Sequence, residues 1–407
     1  MKKVLTLGSH HVSDFVTESQ LDQSRDKYSL DLYLDEQTGA VRLKELAPAH
    51  TMWGKYWYRS GINPSMVNQL QDVVQEVQSR ATLEPGDVWL DIACNDGTLL
   101  KFVPDHVIKV GIDPADDTFY AESSKVACVV QDYFSAAAYY KTPYAHLKPK
   151  VITCIAMFYD LDDPRPFIQD IHEIMHDEGM LILQMSYTPL MIKQLAFDNI
   201  CHEHVYYYHL TSIKRLFESQ GFVIRDCSLN HVNGGSMRVY LQKATSDIHR
   251  FANAPLRDVC EFRTQSVLKM ETDEWNISDV AIWQQFGQRL DTLKTDLLNL
   301  LVQAKQQGKT VYGYGASTKG NTLLQALGID GNLITAIAER SPQKFGLYTV
   351  GTGIPIISEE EMRQAAPDYL LILPWHFIRE FLDREQSLIS QGTKFIVPCP
   401  QLKVYGA

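Results

Sequence analysis

The sequence has no cysteine before Cys94, and its seven cysteines (Cys94, Cys128, Cys154, Cys201, Cys227, Cys260 and Cys399) form no C-x-x-C pair. This odd, scattered set argues against a disulfide framework and a cysteine-built zinc site, and suits reduced thiols in a cytoplasm. Positive charge is scarce too: 38 basic residues stand against 49 acidic ones, a net charge of -11. Such a chain lacks the footprint for a phosphate backbone or an anionic bilayer, so neither nucleic acid nor membrane is expected as a partner. Long apolar runs are missing as well. No stretch approaches the ~20 apolar residues of a membrane span, and the apolar run near the N-terminus is too short for a signal peptide; a cytoplasmic location is expected.

At 407 residues the chain should hold two or three domains, at roughly 150 residues each. Residues 1–65 carry short alternating segments, Tyr28 to Tyr33 and Ala40 to Leu46 among them, and predict a small β-rich cap. From Pro64 the pattern turns helical in MVNQLQDVVQEVQSR, and VWLDIA follows as a strand after Pro85-Gly86-Asp87. VIKVGID, KVACVVQ, VITCIA and GMLILQMS read as short buried strands, the pattern of a doubly wound parallel sheet within residues 66–245. Residues 245–278 are polar and turn-rich. Val280, Trp283, Phe286, Leu290, Leu293, Leu297 and Leu301 then mark a long amphipathic helix, whose simplest use is packing on another element. A second strand-turn-helix opens at KTVYGYGASTKGNTLLQALG, and ITAIAE, YLLIL and KFIVP add strands. The expected fold class is α/β: a β-rich cap, a Rossmann-like unit and, over residues 246–407, a helical linker with a second Rossmann-like unit.

The first chemical motif is DIACNDGTLL, from Asp91 to Leu100, which follows a strand and is expected to open a helix pointing at a ligand above the sheet edge. Asp113 ends the next strand, where an acid can accept both hydroxyls of a ribose, and Asp132 follows the third, within reach of an adenine edge. The turn is acidic and lacks G-x-G-x-x-G. It therefore suits a cationic, phosphate-free nucleoside such as S-adenosylmethionine better than a pyrophosphate, with Asp91 or Asp96 near its ammonium. A plain capping turn with an ordinary strand-end acid is the alternative.

The second motif, FDNICHEHVYYYHL, crowds His202, Glu203, His204 and His209 among three tyrosines. H-E-H spacing sets the two histidines on different sides of a helix, against a protease-type zinc site, and leaves acid/base work as the stronger reading. Each histidine taken singly is an ordinary structural residue. Gly234-Gly235 allows close backbone approach and Arg238 suits an anion, though a glycine pair before a strand is commonly just a turn. Gly313 to Leu324 stands like a nucleotide-binding turn with Lys319 placed for a phosphate, and Glu339 follows the next strand; it is not a phosphate loop, and NAD binding or close packing would use the same glycines. Residues 339–356 form a long loop-like stretch, and Pro374 to Phe377 end a buried strand where ligands commonly bind.

Together these motifs resemble the sugar C-methyltransferases, S-adenosylmethionine-dependent enzymes that methylate a carbon of nucleotide-linked 4-keto-deoxysugars. The resemblance rests on Y-x-Y-R-S-G from Tyr56 to Gly61, D-x-x-C-N-D-G-T-L-L, G-I-D-P, F-D-x-I-x-H-E-H, G-G-S-x-R, G-Y-G-A-S-x-K-G, K-x-G-x-Y and P-W-H, and spans nearly the whole chain. It implies that His204 is the base beside the ketone, that Glu203 orients the sugar and that Tyr58 of the cap reaches the same pocket. It implies a cofactor site drawn from Tyr56, Asp91, Ala93, Asn95, Asp96 and Gly97, with Asp113, Asp132, Tyr133 and Met157. The sugar nucleotide is expected against Asp160, Cys201, Tyr207, Gly235, Ser236 and Arg238 on one side, and against Tyr314, Ser317, Lys319, Asn321, Lys344, Tyr348 and His376 on the other. Family members usually carry a four-cysteine zinc knuckle in the cap; here Asp35 to Gly39 stand at its later half, so no zinc is expected. Asp160, Gln184 and Cys201 also replace residues common around the sugar. An O-methyltransferase, or a protein that binds without turnover, stays open beside the C-methyltransferase, and the chain is expected to be a monomer or weak homo-oligomer.

Overall fold

The computed structural model describes residues 1–48, 51–52, 57–247 and 254–406, the side chains of 254 and 255 excepted. Tyr56 lies outside the described residues. The N-terminal segments form β1 (Lys2–His11), β2 (Phe15–Val16), β3 (Lys27–Leu34) and β4 (Val41–Leu43). Helix α1 (Pro64–Gln78) starts at Asn63, whose side chain accepts from the Ser65 N–H, with proline at the first turn. It buries Leu70, Val73, Val74 and Val77.

Strands and helices then alternate: β5 (Val88–Ile92), β6 (Ile108–Ile112), α2 (Asp117–Ser123), β7 (Cys128–Val130), α3 (Ala136–Tyr139), β8 (Val151–Ile155), α4 (Pro164–Ile174), β9 (Met180–Ser186), α5 (Thr188–Lys193), β10 (Tyr206–Tyr207), α6 (Leu210–Glu218), β11 (Phe222–Asn230) and β12 (Ser236–Lys243). Seven strands lie in the order β11-β12-β9-β8-β5-β6-β7. Strands β5 to β9 pair in parallel, while β12 runs antiparallel to both β9 and β11. The order reverses at β5, which lies between β6 and β8; such a switch point opens a crevice at the carboxyl ends of the strands.

After α7 (Ala254–Asp273) and α8 (Val280–Gln306), a second sheet uses β13 (Val311–Tyr314), α9 (Thr318–Leu327), β14 (Ile337–Glu339), β15 (Tyr348–Thr349), β16 (Ile356–Ser358), α10 (Glu359–Ala365), β17 (Tyr369–Ile372), α11 (Ile378–Arg384), α12 (Gln386–Ser390), β18 (Lys394–Val397) and β19 (Lys403–Tyr405). Its order, β16-β14-β13-β17-β18-β19, is parallel except at β19 and reverses at β13. The chain is thus mixed α/β with two Rossmann-like sheets. The N-terminal strands join both: β10, from the middle of the chain, completes the sheet β1-β3-β4-β10, and β2 pairs with β15.

Two expectations need correction. No α-helix follows the Asp91 turn; residues 98–102 are hydrogen-bonded turns, because only six residues separate Gly97 from Pro104 and a proline disfavours helix in the residue before it. Conversely, the stretch read as turn-rich holds the 20-residue α7. Its buried stripe is Cys260, Thr264, Val267 and Glu271, so half of the inward positions are polar and hide the helical period.

Candidate active site

The carboxyl end of β5 carries the acidic turn. Ala93, Asn95 and Gly97 take φ values of 58, 52 and 75°, a left-handed sequence that doubles the chain back sharply. Gly97 is also pressed on Ser123 of α2, whose Cα would lie 3.0 Å from a Cβ there. Asp91 is buried at the strand end, where the Thr153 hydroxyl donates to it at 2.6 Å and burial pushes its carboxyl up to about 7. Trp89 Nε1 donates to the same Thr153 oxygen at 3.1 Å, so the hydroxyl proton is directed at Asp91. Asp113 accepts from the Asn95 and Ala115 N–H groups at 2.7 and 2.8 Å, one on each oxygen, which leaves both oxygens lone pairs for further donors.

Asn95 and Asp96 turn toward the cap. The Asn95 side chain donates to Tyr58 O at 3.1 Å and accepts from Ser60 N at 3.0 Å; Asp96 accepts from Gly61 N at 2.8 Å and from Thr98. Tyr58 therefore stands with this turn, its side chain beside Asp96 and the residue 43% exposed. Tyr133 is exposed, Asp132 is half-buried and pairs with Lys141 at 2.6 Å, and Met157 is half-buried after β8. S-adenosylmethionine fits this donor set. Asp91 has no basic partner among the described residues, so a cation arriving there meets a carboxylate that burial leaves uncompensated.

The second group lies where the carboxyl ends of both sheets meet. His204 Nδ1 bonds Asn199 O at 2.8 Å; a carbonyl only accepts, so Nδ1 carries the proton and Nε2 keeps its lone pair. Burial, then Lys319, hold this imidazole down to about 3, and the Tyr159 ring packs 4.2 Å from it. Lys319, from the first turn of α9, donates to Asn199 Oδ1 at 2.5 Å. Its ammonium is pulled down by burial while Asp198, Cys201, Glu203 and Asp160 oppose that shift. Asp160 and Glu203 are pushed up, mainly by burial, and each keeps a sealed oxygen (Oδ1 and Oε2) without a hydrogen-bond partner. The Cys201 thiol is hydrogen-bonded to Glu203, Tyr207 leans its hydroxyl on Asn199 O at 3.4 Å, and Trp375 Nε1 donates to Asp198 at 3.3 Å. His376, beside Trp375 after β17, is held down to about 3 by burial and Lys319, and its Nδ1 is unpartnered.

His204, Glu203, Asp160, Cys201, Tyr207, Lys319 and His376 are thus brought together. Asp198, Asn199 and Trp375 join them although sequence reading gave them no role; Asp198 and Asn199 sit inside F-D-N-I-C-H-E-H, which is the only signal they offer. His202 and His209 stand apart. His202 Nε2 donates to Tyr28 O of β3 at 3.2 Å, and His209 is the N-cap residue of α6.

The remaining predicted residues make their contacts elsewhere. Arg238 donates to Gln184 at 2.8 Å and Asp72 at 2.7 Å, and Ser236 to Val232 O. Gly235, at φ 117°, is backed by Leu190, and its neighbour Gly234 lies against Trp375. Tyr314 donates to Glu385 at 2.6 Å, and Ser317 caps α9 through Gly320 N. Asn321 reaches Asp14 O, Lys344 donates to Ala316 O at 2.6 Å, and Tyr348 pairs with Val16. Among the described residues no group of three or more His, Cys, Asp or Glu is arranged to hold a metal ion, and no helix is long and apolar enough to cross a membrane.

Residues 66–226 match the family model described as a methyltransferase domain, and residues 231–400 that described as a C-methyltransferase C-terminal domain. Over 381 residues the chain is 26% identical to the C-methyltransferase NovU of Streptomyces niveus, covering 93% of this chain and 88% of that protein. Among solved structures, an S-adenosylmethionine-dependent methyltransferase from Clostridium acetobutylicum ATCC 824 is similar over 44% of this chain and 92% of its own, with 11% identity and a TM-score of 0.34. The magnesium protoporphyrin IX methyltransferase ChlM of Synechocystis PCC 6803 is similar over 45% of this chain and 88% of its own, with 13% identity and a TM-score of 0.35. The class that the family models and the relative support is an S-adenosylmethionine-dependent methyltransferase. Within that class, they support a C-methyltransferase.

Proposed function

We propose that the protein transfers a methyl group to a carbon next to the ketone of a nucleotide-linked 4-keto-deoxysugar, with His204 as base. The observation that carries this reading is the neutral, tautomer-fixed imidazole at the place where the two sheet crevices meet. A C–H beside a ketone is acidic only if a base is in reach and the developing oxygen charge is met. His204 Nε2 has the free lone pair for that proton, and Asp160 and Glu203, whose carboxyls burial pushes up, each have a sealed oxygen without a partner for a sugar hydroxyl. The first Rossmann-like unit, residues 66–245, would hold S-adenosylmethionine through Asp91, Asp113 and the Ala93 to Gly97 turn. When bound, that group supplies an electrophilic methyl on a sulfonium. Residues 246–407 would hold the nucleotide part of the substrate, and the cap, residues 1–65, would cover both. To test this, methyl transfer to dTDP- and GDP-linked 4-keto-6-deoxyhexoses is compared for wild type and His204→Ala. The variant is expected to lose at least ~100-fold in rate; equal rates would remove His204 from the role.

A further inference from the structure

Asn199 connects two groups that come from different sheets. Its backbone carbonyl accepts from His204 Nδ1 and its side-chain Oδ1 accepts from Lys319 Nζ, so one residue sets the spacing between the imidazole and the ammonium. Asn199 is itself buried and held: Nδ2 donates to Ala196 O at 3.3 Å, and Ser186 donates to Oδ1 at 3.4 Å. A lysine enclosed by acids ordinarily closes a salt bridge. Lys319 does not: among the described residues Asn199 is its hydrogen-bond partner and no carboxylate stands at ion-pair distance, though Asp198, Glu203 and Asp160 all face it. Two of its three N–H bonds remain for a ligand. A pyrophosphate would be a poor occupant of that place, since three carboxyl groups surround it, whereas a single oxygen that gains one negative charge during reaction suits one ammonium.

We propose that Lys319 Nζ holds the substrate's ketone oxygen while His204 Nε2 removes the proton from the adjacent carbon, with Asn199 as the positioning residue that fixes their separation. The proposal rests on the keto-sugar reading above. In the step, the C–H bond breaks and its proton passes to His204. The electron pair becomes the carbon–carbon π bond, and the carbonyl π pair moves to oxygen, giving an enolate beside the ammonium.

The step can be followed without any methyl donor, as exchange of the hydrogens flanking the ketone when the full-length protein and a dTDP-linked 4-keto-6-deoxyhexose are mixed in D2O and watched by proton NMR. Lys319→Met is expected to slow exchange by ~100-fold or more while S-adenosylmethionine affinity is unchanged. Lys319→Arg should recover part of the rate, and Lys319→Gln replaces the methionine variant if that one does not fold. Asn199→Ala should lower the exchange rate at saturating sugar nucleotide, and Asn199→Asp, which keeps an acceptor for Lys319, should restore it in part. Wild-type exchange that persists in Lys319→Met, with only the sugar-nucleotide affinity reduced, overturns the proposal and leaves the keto-sugar reading standing. No exchange in the wild type overturns both.

Discussion

Asp91 carries the pH dependence expected at the level of single residues. Its carboxyl rises from 3.8 to about 7 through burial, against the bond from Thr153. The folded chain therefore keeps a proton that the unfolded chain releases, and this contribution to stability is full below 3.8 and lost as pH rises through about 7. Denaturant unfolding at pH 5 and pH 8 should show wild type losing more stability than Asp91→Asn across that interval. Binding of a cation has the opposite sign. S-adenosylmethionine affinity, measured by calorimetry, should strengthen between pH 6 and 8 in wild type as the carboxylate forms, and stay flat in Asp91→Asn. Asp91, His204 and Lys319 stand out in the sequence as candidates because their chemistry is in their side chains, although the sequence points Lys319 at a phosphate. Asn199 was not: half of its part is played by a backbone carbonyl, which any residue has, in a short turn whose geometry no periodicity announces.

Among the elements, α7 shows why a polar stripe defeats pattern reading. Glu271 faces inward and accepts from Tyr187 Oη at 2.8 Å, Leu210 N at 2.6 Å, Thr211 N at 2.8 Å and Thr211 Oγ1 at 2.6 Å. A glutamate that looks solvent-bound in sequence thus satisfies the first amides of α6, the helix that follows the H-E-H segment. Glu271→Ala should destabilise the fold by about 2–3 kcal/mol in denaturant titration, since four donors, two of them buried and two part-buried, lose their acceptor. The strands were easier. Runs such as VWLDI and VITCI are buried along nearly their whole length, which is the mark of a parallel sheet covered on both faces. The missing helix after Gly97 was a matter of length, visible in Pro104 once its constraint is applied.

At the scale of the whole molecule, each sheet has a switch point, and the chain links them in ways that local pattern does not record. Strand β10 follows directly on the H-E-H segment and closes the N-terminal sheet, while Gly61 N donates to Asp96 in the acidic turn. Both pairings are long-range, so the two Rossmann-like units could be read from sequence but not the way the cap ties into each. A Cβ at Gly61 would lie 2.9 Å from Asp96 Oδ2 and 3.1 Å from Thr98 Oγ1. Gly61→Ala should therefore weaken S-adenosylmethionine binding several-fold while moving Tm by less than about 3 °C, because the clash falls on the clasp and not on a core.

The most direct measurement supplies wild type with S-adenosylmethionine carrying a 13C methyl and a nucleotide-linked 4-keto-6-deoxyhexose, and locates the label in the product by carbon–proton correlation NMR. A labelled methyl bonded to the carbon beside the former ketone is the predicted result. A methyl bonded to oxygen, or label left entirely on the donor while both ligands bind, would contradict the account.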